Sequence, residues 1–187
     1  MLQASKFPKQ LESAKDSFVF KAFDVDQTKD LWALIVSDRH SPERKNNSWP
    51  AIYELQDLRD YLRSRDLENS ASEENGYLIY WKEQLVGSLH WHSVSWPHRR
   101  IELGYWLHFE FEGQGLISKA LQFIEKQLAQ MGFHRIEITC DTLNIRSRAV
   151  AERNGYTLEG ILHDHKIKDG VFIDTASYAK IIGESKP

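Results

Sequence analysis

Apolar positions along this chain recur with two periods, two residues and about 3.6, and the switches between them mark out its elements. SFVFKAF, Ser17 to Phe23, alternates and puts Phe18, Phe20 and Ala22 on one face of a first strand. Leu31, Leu34 and Ile35 then recur at helical spacing in a segment that Thr28 can cap and that runs through Asp38. After the polar turn SPERKNNSWP, Ser41 to Pro50, a second helix is predicted from Ile52 to Arg65, burying Leu55, Leu58 and Leu62. LENSASEENG reads as a solvated loop. Strands follow over Tyr77–Lys82, Leu85–Val94 and Arg100–His108, with turns at Glu83-Gln84 and Trp96-Pro97. From Leu116 to about Met131, Ile117, Ala120, Leu121, Ile124 and Leu128 form a helical stripe that Gly132 ends. RIEITC, Arg135 to Cys140, is a strand, and Asn144 to Asn154 a helix stopped by Gly155. Tyr156–Lys168 and Phe172–Ile181 make a hairpin turning at Asp169-Gly170.

The order β-α-α-β-β-β-α-β-α-β-β mixes hairpins with helical crossovers, which indicates an α+β fold on a mixed sheet. With no repeat, low-complexity tract or Pro/Gly linker, residues 17–187 read as a single domain behind an N-terminal arm, residues 1–16. A chain of 187 residues, 41% hydrophobic and 27% charged, has ordinary globular composition. Its net charge of -3 supplies no basic field, so nucleic acid is not an expected partner. Cys140 is the one cysteine, which excludes an internal disulfide and suits a reducing compartment. No apolar run approaches the roughly 20 residues that span a bilayer. MLQASKFPKQLESAKDS lacks the apolar core of a signal peptide, so a cytoplasmic protein without membrane contact is expected. Six tryptophans, each with an N–H to satisfy, suggest an aromatic cleft wall as well as a core.

The stretch FEGQGLISKAL, Phe111 to Leu121, places Gly113 and Gly115 at the mouth of a helix. It lacks the lysine and Ser/Thr of a Walker loop, and Ser118 stands where a dinucleotide fingerprint wants its third glycine. A strand, a Gly-x-Gly loop and a helix N-terminus remain, an arrangement whose backbone N–H groups favour a phosphate or diphosphate. The plainer reading is a tight strand-to-helix turn. Along IELGYWLH, alternation puts Ile101, Leu103 and Tyr105 on one face and Glu102, Gly104 and Trp106 on the other. A carboxylate inside a strand, here Glu102, is either a proton acceptor or a structural group bonded to backbone or to an arginine such as Arg100. His90 and His92 in LHWH, and His163 and His165 in LHDH, would need further convergent ligands to bind zinc, and no metal site is expected.

Four segments in order, IELGYWL (Ile101–Leu107), EGQG (Glu112–Gly115), RIEITCDTLNIRSRAVAERNGY (Arg135–Tyr156) and LEGILHD (Leu158–Asp164), resemble the GNAT superfamily of N-acetyltransferases, specifically its RimJ/RimL-like branch. The resemblance runs from Ser17 to the C-terminus and is strongest from Arg100 onward. It implies the GNAT fold, a central twisted, mixed and splayed β-sheet flanked by about four helices, and acetyl-CoA as cosubstrate without a metal. The loop Gly113, Gln114, Gly115, Leu116, Ile117 and Ser118 would hold the diphosphate. Pantetheine would pair with backbone near Trp106, Leu107 and His108, the Leu107 N–H facing the developing oxyanion. Asn144 would contact the pantetheine arm. Ser147 would protonate the leaving thiolate, with Tyr156 as the rival acid, and Glu102 would take the amine proton. Glu110, where the family often has Arg or Gln, supplies no cationic phosphate contact. The acceptor implied is a protein N-terminus, notably a ribosomal-protein serine or alanine, or a small amine, and Trp49 would line its side of the cleft. A homodimer is in keeping with the family. The opposing reading is an acyl-CoA-binding sensor that has lost catalysis.

Overall fold

A computed structural model describes residues 7–40, 54–65, 75–168 and 170–182. Among them lie strands β1 (Gln10–Ser13), β2 (Phe18–Ala22), β3 (Asn75–Trp81), β4 (Gln84–Ser95), β5 (Arg100–Leu107), β6 (Arg135–Asp141), β7 (Thr157–Lys168) and β8 (Val171–Ile181). The helices are α1 (Thr28–Arg39), α2 (Leu55–Ser64), α3 (Leu116–Gln130) and α4 (Ile145–Arg153). The strands are hydrogen-bonded in the order β1-β2-β3-β4-β5-β6-β8-β7, the mixed sheet of an α+β fold. No helix among the described residues is long and apolar enough to cross a membrane. The chain divides into two compact units, Lys6–His90 with Tyr105–Leu116, and Trp91–Gly104 with Ile117 onward.

In the first unit β1, β2 and β3 pair antiparallel, Phe20 lying opposite Leu11 and Ile79. β1 falls inside the segment read as an arm: four residues with one buried side chain, Ser13, carry too little alternation to announce a strand. Phe18 and Phe20 are buried as the alternation predicts. The start of α1 differs from expectation. Asp24 accepts from the Asp26 N–H and Gln27 reaches back to the Asp24 N–H, a reciprocal cap on a short 3₁₀ turn ahead of Thr28. Similarly, Glu54 and Asp57 cap α2, which starts at Leu55. Leu31 and Ile35 of α1, Leu58 and Leu62 of α2, and Phe23, Leu78 and Trp106 form one core cluster.

A buried carboxylate meets that cluster at Trp106. Asp38 is 3% exposed, and its oxygens accept from the Trp106 indole N–H (3.3 Å) and from the Phe109 backbone N–H (2.7 Å). One side chain of α1 thereby fixes the end of β5 and the turn after it. β4 approaches the same place closely: a Cβ on Gly87 would lie 2.2 Å from the Trp106 carbonyl oxygen.

The second unit is organised around β6. β5 pairs with it in parallel over Arg100–Glu102 against Arg135–Glu137, although the two strands run on to Leu107 and Asp141. β8 pairs antiparallel along all of β6, and β7 pairs outside β8. Ile136, Ile138 and Cys140 face inward, and the α3 stripe of Ile117, Ala120, Leu121, Ile124 and Leu128 is buried throughout, as its spacing predicts.

Two stability outcomes follow. Gly87→Ala should cost about 1–3 kcal/mol or more, because the methyl meets backbone that cannot step aside. Gly160→Ala, whose Cβ meets nothing within 4 Å, should stay within about 0.5 kcal/mol of wild type; urea midpoints that rank the pair the other way contradict the close approach. Asp38→Ala should lose roughly 2–5 kcal/mol by stranding its donors, and Asp38→Asn, which keeps an acceptor oxygen, should lose less. An Asp38→Ala protein as stable as wild type would show that these bonds do not hold the strand end.

Candidate functional site

The first unit supplies the end of β5 and the glycine loop. His108 is buried; its Nε2 lies 3.2 Å from the Ser37 hydroxyl and its Nδ1 accepts from the Glu110 N–H at 3.4 Å. The His108 backbone N–H donates to the Val86 carbonyl at 2.9 Å. Successive N–H groups of a strand point to opposite sides, so that of Leu107 is directed away from β4. The side chains of Trp106, Leu107, His108, Leu116 and Ile117 are all buried, and the His108 carbonyl accepts from the Phe111 N–H at 3.0 Å. The indole of Trp106 is therefore core and not cleft wall. Beyond the short turn Phe109–Phe111, Gly113 and Gly115 have φ of 73° and 72°, the left-handed region that favours glycine. A Cβ at either would meet nothing within 4 Å. The Gln114 amide donates to the Glu110 carbonyl at 3.2 Å, closing the loop on itself.

The second unit carries the titratable groups. Arg100 lies 3.3 Å from Glu137, which also accepts from Arg135 at 2.7 Å, and Arg135 reaches Glu159 as well. Arg100 is thus spoken for by Glu137. The partners of Glu102 are others: the Thr139 hydroxyl donates to Oε1 at 2.5 Å, and His92 Nδ1 lies 3.4 Å from Oε2. Burial pushes the Glu102 carboxyl up, but the hydrogen bonds from His92 and Thr139, with the positive charge of His92 and Lys166, outweigh it and hold the group below its ordinary range. Sequence reasoning noticed His92 only as half of LHWH and did not single out Thr139; its place two residues after Glu137 on one strand face was the available signal.

At the other end of β6, the Asn144 side chain accepts from the Ser147 N–H at 3.1 Å and so caps α4. The Ser147 hydroxyl hydrogen-bonds the buried Cys140 thiol. Burial pushes that thiol up, against the Ser147 bond and the charge of Arg148, so it stays protonated near neutrality. Thr139 and Cys140 are successive, which sets the Glu102 and Ser147 clusters on opposite sides of β6. The Ser118 hydroxyl accepts from the Asn154 amide at 3.0 Å, tying the start of α3 to the end of α4. Arg148 donates to the Tyr178 hydroxyl and the Thr142 carbonyl. Tyr156 is 4% exposed, with Lys180 Nζ 5.5 Å from its ring centre. His163 of LHDH meets Asp174 at 2.9 Å. Trp49 lies outside the described residues, and among those described no three His, Cys, Asp or Glu side chains gather as a metal site.

Known proteins resemble this chain in sequence and in fold. Residues 18–157 match the family described as an acetyltransferase (GNAT) domain. The ribosomal-protein-serine acetyltransferase of Escherichia coli (strain K12) is 29% identical over 169 residues, which make up 89% of this chain and 94% of that protein. Among solved structures, the chain is similar to RimL, a ribosomal L7/L12 α-N-protein acetyltransferase in complex with coenzyme A (27% identity, TM-score 0.80, 89% and 94% of the two chains). It is also similar to the microcin C7 self-immunity acetyltransferase MccE in complex with acetyl-CoA and AMP (25% identity, TM-score 0.83, 96% and 100% of the two chains). With most of its length matched and the mixed sheet, glycine loop and following helix in place, the chain belongs to the GNAT acetyltransferase domain family and is an acetyltransferase.

Proposed function

We propose that this enzyme transfers the acetyl group of acetyl-CoA to a primary amine, the N-terminal α-amino group of a ribosomal or other protein, by direct attack in a ternary complex. The observation that carries the reading is the loop before α3, where Gly113 and Gly115 hold positive φ and leave open the space a side chain would fill. Backbone N–H groups at a helix mouth suit a diphosphate, and the amides from Gly113 to Ser118 are assigned to it. Backbone at Trp106 to His108 receives pantetheine, and the Leu107 N–H, directed away from β4, steadies the oxyanion. Asn144 adds its amide nitrogen to the pantetheine contacts. The names of the relatives, acting on ribosomal-protein serine and on the L7/L12 N-terminus, support a protein acceptor, on whose side Trp49 is assigned.

The two clusters on β6 divide the proton transfers. The Glu102 side receives the acceptor's proton, and Ser147 protonates the departing thiolate. A free thiol titrates near 8.5, so that protonation helps but is not essential. The buried Tyr156 is a weaker candidate for it.

Acetyl-CoA at 100 times its dissociation constant should stabilise the protein by about 2.7 kcal/mol, read as a rise in melting temperature. Gly115→Val should fold, because its Cβ meets nothing within 4 Å, at a cost of about 1–2 kcal/mol for a side chain in the left-handed region. It should lose the acetyl-CoA shift. A shift kept in that variant places the cosubstrate elsewhere. A peptide beginning with serine should release CoA thiol from wild-type enzyme, and the same peptide with a blocked N-terminus should not; binding without any such release would make the protein a sensor.

A further inference from the structure

β4 carries an irregularity that the glycine loop does not explain. Ser93 has φ of 53° within the strand, a conformation unusual for a residue with a side chain. The burial pattern slips there too: Trp91 and Val94 are buried, three residues apart where an unbroken strand would give two. A left-handed residue together with a slipped burial period is what a β-bulge produces, a device that re-aims a side chain. The side chain next to it is His92, and it is turned onto Glu102.

Within that pair the two groups are not equally accessible. The Glu102 side chain is 15% exposed and that of His92 33%. The carboxylate has Thr139 on one oxygen and His92 at the other, so the imidazole is the member that an incoming amine can meet. We propose that His92 is the general base of the acetyl transfer and that Glu102 orients it, the carboxylate holding Nδ1–H so that Nε2 receives the proton. The inference rests on the transferase reading above and reassigns its base.

Chemistry agrees with the geometry. Glu102 is held below its ordinary range and is a poor acceptor for the proton of an α-ammonium group, which titrates near 8, whereas an imidazole is by nature a stronger base than a carboxylate. The acceptor ammonium passes one proton to His92 Nε2. The neutral amine then attacks the acetyl carbonyl carbon; the C–N bond forms, the C–S bond breaks, and the thiolate takes the Ser147 hydroxyl proton to leave as CoA–SH, the second amine proton restoring Ser147 through water. His92 returns its proton to water. Glu102 stays ionised and stabilises the imidazolium, the role of the acid in a Ser-His-Asp arrangement. The charged groups around the pair are Lys166 from β7 and, along the same strand faces, Arg100, Glu137 and Arg135, which pair among themselves.

The test combines rate–pH profiles with NMR titration, using acetyl-CoA and a serine-initiated peptide. Wild type should show an ionisation limb besides the acceptor's own titration. His92→Gln should lower kcat by roughly 10²–10⁴, lose that limb and keep the acetyl-CoA melting shift. Glu102→Gln should lose less and move the limb to lower pH. Without substrates, the His92 Cε1–H resonance should titrate, with its midpoint lowered in Glu102→Gln; this readout needs no folded His92 variant. An unchanged profile in His92→Gln, a limb abolished only by Glu102→Gln, or a His92 midpoint indifferent to Glu102 each overturns the proposal while leaving the transferase reading intact. Wild-type protein that releases no CoA with any amine overturns the transferase reading, and the base with it.

Discussion

The end of β5 and the turn that leads into the glycine loop are held by one buried carboxylate. Asp38 sits at 3% exposure in the α1/α2 core and accepts from the Trp106 indole and the Phe109 N–H. A buried carboxylate carries a desolvation cost of several kcal/mol, which only well-formed charge-assisted bonds offset. These donors come from the end of β5 and the turn after it, so the carboxylate favours the chain path by which β5 ends there. The close approach of Gly87 to Trp106 adds a steric limit on the same residue. Core packing and site geometry are here the same constraint. Within the loop, the Gln114 amide is bonded to the Glu110 carbonyl while Gly113 and Gly115 face open space.

The second unit solves a different problem, keeping charged groups on a sheet without stranding them. Arg100, Glu137, Arg135 and Glu159 form a run of alternating charge across β5, β6 and β7, and cross-strand pairs of opposite sign are mildly favourable. Glu102 stands beside that run and not in it. Its partners are a hydroxyl and an imidazole, and both stabilise the ionised form. A carboxylate so arranged is poor at holding a proton and well suited to holding a histidine. The left-handed backbone at Ser93 has a reason in this setting, because strain of this kind persists where the surroundings over-determine it.

Ser147 and Cys140 complete the other side of β6. The thiol is buried and pushed up, which suits a small packing residue and not a nucleophile. An acyl group passing through Cys140 would need the thiolate that this setting disfavours, and direct transfer to the amine does not.

The sequence by itself determined the elements whose signal is local. The period-two run at Phe18–Phe20, the α3 stripe from Ile117 to Leu128 and the stop at Gly155 each lie within a few residues, where side-chain spacing alone decides which face is apolar. The mixed α+β order followed from those elements, and the ordered motifs from Ile101 to Asp164 carried the family. β1 was not legible, being four residues with a single buried side chain, and the Asp24–Gln27 cap lay hidden in front of a threonine that looked like a cap itself. Glu102, Ser147 and the loop glycines could be named as candidates, but their partners could not. Thr139 and Glu102 are 37 residues apart, and Trp106 and Asp38 are 68 apart. Those contacts depend on strand register and on which helix covers Trp106. Only the tertiary structure decided them, because periodicity records which face a residue takes and not what it meets there.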